Sequence, residues 1–167
     1  RKKASCEDEK VKAVVLAAGE GVRLQPITLT RPKHLIKVGG KPILEHCLGA
    51  LSDSGIEDVV IVVHYMGDKI RHYFGDGREF GMKVDYVEQK AMLGTGDAVS
   101  VVEPLMNEAF LLVYGDLLFS AKAIKEVITL HHSEKPAVTM AVVPVEAPEN
   151  YGIVRLENGK YVRSLVE

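Results

Sequence analysis

The chain has 167 residues, 47% hydrophobic and 26% charged, which fits one globular domain and excludes a disordered or fibrous chain. Its 21 Lys and Arg against 23 Asp and Glu leave a net charge of −2, which excludes the basic footprint of a nucleic-acid binder and the cationic face of a membrane-surface protein. No apolar run reaches the roughly 18 residues of a membrane span, the polar start does not read as a secretory signal, and two cysteines, Cys6 and Cys47, suggest neither a disulfide framework nor a thiolate metal site.

Residues 1–10 form a charged lead-in without periodicity, expected to be mobile. Residues 11–16 read as a buried strand with Val14, Val15 and Leu16 in an unbroken apolar run. A glycine-bearing loop follows as far as Gly39-Gly40. Pro42 and Gly55 then bracket a helix whose Ile43, Leu44, Cys47, Leu48 and Leu51 share one face. Residues 59–63 are a second strand, and Ile70, Tyr73 and Phe74 mark a short helix. A third strand is expected over 83–88, a loop passing into a helix over 94–102, and a buried strand over 110–114 ending at Gly115-Asp116. Ser120 can cap a helix carrying Ala123, Ile124, Val127, Ile128 and Leu130 at 3.6-residue spacing. One more strand is expected over 137–143, and residues 153–156 and 161–165 form a hairpin about Asn158-Gly159. Strands alternating with helices predict an α/β fold, a Rossmann-like and mostly parallel sheet with helices on both faces, as one domain over 11–167. Ligands of such sheets bind beyond the carboxyl ends of the strands, which points to the loops after Leu16, Val63, Glu88 and Tyr114.

Three of those loops carry chemistry. The first runs Leu16-Ala17-Ala18-Gly19-Glu20-Gly21-Val22-Arg23-Leu24-Gln25-Pro26 and on to Arg31-Pro32-Lys33. Small residues after a strand let backbone N–H groups close on phosphate oxygens. A dinucleotide fingerprint would need glycine where Leu24 stands, and the Gly-Lys-Ser/Thr of a P-loop is absent. Arg23 instead offers a planar fork for two phosphate oxygens, and Lys33 a compact charge able to follow a moving phosphoryl group. Such a pair suits the departure of pyrophosphate from a nucleotide. The plainer alternative, two glycines turning the chain beside solvated cations, loses ground because Leu-Ala-Ala precedes the glycines and Arg-Pro-Lys follows.

This combination resembles the signature of the sugar-1-phosphate nucleotidylyltransferases. The resemblance implies a Rossmann-like domain that joins an NTP to a sugar-1-phosphate with Mg²⁺ as cofactor and releases pyrophosphate. Leu16, Ala17, Ala18, Gly19 and Gly21 would cradle the triphosphate through their backbone, Arg23 would steady the leaving β,γ-phosphates, and Lys33 would meet the α-phosphate or the attacking phosphate. Val22 departs from the Thr or Ser usual in the family, which removes a hydroxyl and keeps the backbone N–H.

The loop after Glu88 reads Gln89-Lys90-Ala91-Met92-Leu93-Gly94-Thr95-Gly96-Asp97-Ala98. Gln89 has a donor and an acceptor for a pyrimidine edge. Gly94 lets the backbone approach the base, and Thr95 adds a hydroxyl. Thr95 also suits a helix cap, with Asp97 favouring the helix dipole. The string is similar to that of the members making UDP-N-acetylglucosamine. Guanylyl-transferring members share its Leu-Gly-Thr, whereas thymidylyl- and glucose-specific members more often carry a Gly-Leu variant. UTP and N-acetylglucosamine-1-phosphate therefore lead, with dTTP and glucose-1-phosphate or GTP and mannose-1-phosphate as alternatives.

Asp116 ends a buried strand at the ligand edge, where a hard oxygen donor can hold Mg²⁺ against phosphates. The resemblance places the family's first metal-binding Asp there. His131 and His132 suit a helix C-terminus better than a metal. Near the end of the chain, Gly152 and Glu167 fall on the family's sugar-binding segment. The resemblance covers the front part of the family's catalytic domain, without its later strands or its second metal-binding Asp, so a fragment incomplete at its C-terminal side and weak in turnover is expected. The remaining expectations are a cytoplasmic protein with NTP and sugar-1-phosphate as partners, no nucleic acid and no membrane. A homo-oligomer is compatible with the sequence. A non-catalytic regulatory homologue is the alternative of another class, against which Arg23, Lys33 and Asp116 together speak.

Overall fold

The computed structural model describes residues 10–166. The charged lead-in over residues 1–9 and the expected sugar ligand Glu167 lie outside the described residues. The chain divides into two compact units, the first running through Ile128 and the second beginning at Thr129.

The first unit is built on four parallel strands. In chain order its elements are β1 (Lys12–Ala17), two-residue strands β2 (Lys37–Val38) and β3 (Lys41–Pro42), α1 (Ile43–Asp53), β4 (Asp58–Val63), α2 (Gly67–Phe74), β5 (Lys83–Glu88), α3 (Thr95–Ser100) and β6 (Phe110–Tyr114). Helix α4 (Ala121–Glu134) begins in it, and Ser120 caps that helix by accepting the Ala123 N–H on its hydroxyl oxygen at 3.2 Å. The sheet order is β5-β4-β1-β6, with β2 and β3 paired apart as a small antiparallel ribbon.

Alternation along the strands explains why helices cover both faces. Ala13, Val15 and Ala17 of β1 join Val59, Ile61 and Val63 of β4 on one face, and Leu44, Leu48, Leu51, Ile70, Phe74 and Ile124 of the helices pack over them. Val14, Leu16, Val60 and Val62 face the other way, under Ala98 and Val102. A strand buried on both sides has no polar position to spare, which is why β1 and β4 read as continuous Val, Ile, Leu and Ala runs.

The chain winds from β1 outward through β4 to β5, then returns past β1 to place β6 on its other side. Strand order thus reverses between β1 and β6, and their carboxyl ends flank the crevice where open α/β sheets bind ligands. The Gly115 N–H donates to the Leu16 carbonyl at 2.9 Å and joins the two strand ends there.

The second unit contains the antiparallel hairpin of β7 (Ile153–Glu157) and β8 (Tyr161–Val166). Its turn has Asn158 at φ 52° and Gly159 at φ 68°, the left-handed pair that the Asn-Gly signal predicts. The strand expected over 137–143 does not form: that segment belongs to no ladder among the described residues. Its Val138 and Val143 are exposed. β-propensity describes a residue's fit to a pleated, partnered surface, and without a partner strand an apolar run stays irregular.

Candidate nucleotide site at the strand-order reversal

The glycine loop leaves β1 and turns through Val22–Leu24, Ile27–Leu29 and Lys33–Leu35, three single 3₁₀ turns, before reaching β2. Leu16, Ala17 and Ala18 are buried, which leaves only backbone to offer from these positions. Gly21 sits at φ 68°, a left-handed conformation that costs an L-residue. A Cβ there would also stand 3.0 Å from Lys33 Cβ and 3.0 Å from Thr28 Cγ2. At Gly19 it would stand 3.2 Å from both Cε and Nζ of Lys33. The two glycines therefore make room for the lysine as much as for any phosphate: the side chain of Lys33 lies along the loop's backbone.

Lys33 ends on Asp116. Its Nζ lies 2.5 Å from Asp116 Oδ2, with both side chains between one fifth and one third exposed, so two residues 83 positions apart meet at the crevice between β1 and β6. Gly115 makes this approach possible. A Cβ on it would meet the Leu16 carbonyl oxygen, Leu44 Cδ1 and Val15 Cγ1, each at 3.1 Å, so a side chain there would crowd the turn after β6 against β1. Arg23 lies on the same loop, exposed, with no carboxylate within ion-pair distance among the described residues. Among the described residues it is a cation without a counter-charge.

Beneath Lys33, His34 is 1% exposed and its Nδ1 has no hydrogen-bond partner. Burial pushes its pKa down to about 4, and the neighbouring Lys33 charge adds to the fall while Asp116 opposes it. His34 is therefore neutral at physiological pH and adds no charge to the crevice. Cys47, also buried, has its thiol pushed up to about 12 by desolvation, with Asp116 adding to the shift, so it is an inert apolar side chain.

The loop after β4 supplies residues that the sequence reading passed over. Tyr65 donates its hydroxyl to the Thr28 carbonyl at 3.0 Å, and buried Thr28 donates its own to the Gly21 carbonyl at 3.0 Å. A chain of two hydrogen bonds thus ties the left-handed glycine to a strand end. The position of Tyr65 just beyond a β-strand carboxyl end was the one available signal. Tyr65→Phe is expected to cost about 1 kcal/mol of stability in urea unfolding, the ordinary value of one such bond. Gly21→Ala is expected to cost about 1–2 kcal/mol from the left-handed backbone alone and to weaken nucleotide binding, measurable by calorimetry.

Gln89 follows β5 and is held on every side. Its N–H donates to the Val63 carbonyl at 2.9 Å, and His64 Nδ1 lies 2.6 Å from its own carbonyl oxygen. Its amide nitrogen donates to the Gly94 carbonyl at 3.1 Å and to Asp97 Oδ2 at 2.8 Å. The side chain is 2% exposed, with both amide hydrogens committed, so of the donor and acceptor expected from sequence only the acceptor is left. Gly94, at φ 100°, takes the cap position of α3, and Thr95 is the first helical residue rather than its cap. Both are exposed. Gly152 lies exposed just before β7 in the second unit.

Among the described residues no group of three His, Cys, Asp or Glu side chains could by itself hold a metal ion. Nor is any described helix long and apolar enough to cross a membrane.

A crevice at a strand-order reversal, with a glycine loop wrapped on a lysine and a facing aspartate, is the arrangement of a ligand-binding α/β sheet. The chain belongs to the nucleotidyl transferase family, whose pattern it matches over residues 12–167. It is 35% identical over 155 residues to the Bifunctional protein GlmU of Methanococcus maripaludis, covering 93% of this chain and 35% of that protein. It is 33% identical over 159 residues to the mannose-1-phosphate guanylyltransferase of Mycobacterium tuberculosis, covering 95% and 44%. Among solved structures, a Bacillus anthracis protein assigned as a glucose-1-phosphate thymidylyltransferase and crystallised with a sucrose superposes with a TM-score of 0.81 at 28% identity, covering 94% of this chain and 64% of that one. The chain thus spans between about a third and a half of the length of these two curated relatives.

Proposed function

We propose that this chain carries the nucleotide-binding part of a sugar-1-phosphate nucleotidylyltransferase. The observation that carries the reading is the Lys33–Asp116 pair, set against the glycine loop where the strand order reverses. A phosphate oxygen of the sugar-1-phosphate attacks the α-phosphorus of the NTP. A new P–O bond forms as the bond to the β-phosphate bridging oxygen breaks, and pyrophosphate leaves with the electron pair. The reacting atoms belong to the substrates, so the protein's work is positioning and charge neutralisation.

Arg23 binds the leaving β,γ-phosphates through its fork, and Lys33 follows the charge that builds on the α-phosphate. Asp116 holds the Lys33 ammonium in place through one carboxylate oxygen. Its other oxygen fits Mg²⁺, which takes one or two carboxylates and fills its remaining positions with phosphate oxygens and water. Bound there, Mg²⁺ would supply neutralisation of phosphate charge. The backbone of Leu16, Ala17, Ala18, Gly19 and Gly21 lines the triphosphate, Gln89, Gly94 and Thr95 face the base, and Gly152 and Glu167 act on the sugar.

UTP and N-acetylglucosamine-1-phosphate are the preferred pair. The loop from Gln89 to Ala98 supports this choice, while relatives named for guanylyl and thymidylyl transfer keep the other bases in the comparison. The test is Mg²⁺-dependent pyrophosphate release with UTP, dTTP, GTP, ATP and CTP, each against N-acetylglucosamine-, glucose- and mannose-1-phosphate, with calorimetric titration of each nucleotide alongside. A maximum at UTP with N-acetylglucosamine-1-phosphate is the expected result. Neither binding nor release with any pair would overturn the reading.

A further inference from the structure

Asp97 is not among the residues assigned to the site so far, yet it decides which end of Gln89 can meet a nucleotide. Gln89 Nε2 faces two groups, the Gly94 carbonyl at 3.1 Å and Asp97 Oδ2 at 2.8 Å, and both of them only accept. That settles the amide's orientation chemically, because the opposite rotamer would aim the glutamine oxygen at a carbonyl and a carboxylate together. The main chain of Gln89 cannot shift to compensate, since Val63 and His64 hold it from the end of β4. No described donor reaches Gln89 Oε1. This oxygen is also not sealed: among the described residues, the fully buried side-chain nitrogens and oxygens without a partner are His34 Nδ1 and Asp58 Oδ1. Gln89 therefore keeps one acceptor uncommitted and no donor.

We infer that Asp97 is a positioning residue that locks the Gln89 amide with its oxygen toward the nucleotide, so that the site selects bases carrying a ring N–H. Uracil and thymine at N3, and guanine at N1, present a donor at that edge. Cytosine at N3 and adenine at N1 present an acceptor, which would oppose Gln89 Oε1 lone pair to lone pair. UTP and CTP are nearly the same shape and differ at this position, so their ratio reads the orientation of the amide. The inference rests on the proposal above that Gln89 faces the base.

Asp97→Asn tests it. The variant is nearly isosteric and its amide can donate to a flipped Gln89, so the oxygen-outward state loses its exclusive hold. The wild type is expected to bind UTP at least tenfold more tightly than CTP, and Asp97→Asn to narrow that ratio fivefold or more, with UTP weakened and CTP strengthened. A merely structural role for Asp97 would weaken both nucleotides together and leave the ratio in place, which would overturn the inference. The lock itself is read without nucleotide, from the side-chain amide protons of Gln89 by NMR. Both are expected to exchange slowly in the wild type and faster in Asp97→Asn. Unchanged exchange overturns the positioning role, whatever the nucleotides do. Loosened exchange with an unchanged UTP-to-CTP ratio overturns the base selection and, with it, the placing of Gln89 at the base. Absence of nucleotide binding in the wild type would instead strike the proposed function.

Discussion

Lys33→Ala is expected to slow nucleotidyl transfer by about 10²–10³, equivalent to about 2.7–4 kcal/mol of transition-state stabilisation lost with one preorganised charge. The expectation is at the upper end for this site because the lysine is built in rather than added on. Gly19 and Gly21 lack side chains where its stem passes, and Asp116 receives its ammonium. Removing the amine also leaves the Asp116 carboxylate facing incoming phosphates without its counter-charge. Lys33→Arg is not expected to restore the full rate, because a planar guanidinium cannot reproduce the compact ammonium that lies against the Gly19 backbone and Asp116. Pyrophosphate release under saturating substrates separates the outcomes. A large fall in kcat with little change in nucleotide affinity supports a role in the transition state, and a fall of less than threefold removes Lys33 from the mechanism.

The contrast between Lys33 and Asp116 shows which parts of the site could be read before the fold. Lys33 was legible because its spacing from the two glycines is local, and the steric reason for that spacing acts within a short stretch of chain. Asp116 was legible as a strand-end carboxylate. That the two touch was not legible, because 83 residues separate them and only the placement of β6 beside β1 brings them together. The four parallel strands were read nearly to the residue: β1 and β4, buried on both faces, leave uninterrupted apolar runs, whereas the strand over 110–114, expected to be buried, lies at the sheet edge with Phe110, Leu112 and Tyr114 exposed. The segment over 137–143 carries similar composition and forms no strand, because pairing is a property of two segments and composition belongs to one. Tyr65 and Thr28 escaped notice for another reason: a tyrosine and a threonine have many ordinary places in a protein, and their part in fixing Gly21 exists only through hydrogen bonds across the fold. Gln89 was marked as a chemical group, but whether its nitrogen or its oxygen would be available depended on Asp97 and the Gly94 carbonyl, which the fold aims at the same atom.

Stability is expected to decline by up to about 3 kcal/mol as pH falls from 6.5 to 4 through His34 alone. Its folded pKa is depressed to about 4, first by burial and then by the Lys33 charge, against an ordinary value of 6.5. Below pH 6.5 the unfolded chain takes up a proton at this residue that the folded chain refuses. The unfolded state therefore binds more protons throughout the window, and stability rises with pH across it. The contribution is fully present above 6.5, shrinks as pH falls, and is exhausted once the folded form also protonates. His34 cannot avoid this cost by turning its Nδ1 toward a partner, since that atom is buried and has none. Urea unfolding at pH 7.5 and pH 4.5 measures the effect, and His34→Leu isolates it: the leucine fills the same buried space, carries no proton, and should flatten the pH dependence by about the same 3 kcal/mol. An equal pH slope in the variant would mean that His34 titrates normally and that the ground beneath Lys33 is wetter than the packing indicates. A flattened slope would show that the buried histidine beside Lys33 stays neutral, leaving Arg23 and the Lys33–Asp116 pair to set the charge that an approaching triphosphate meets.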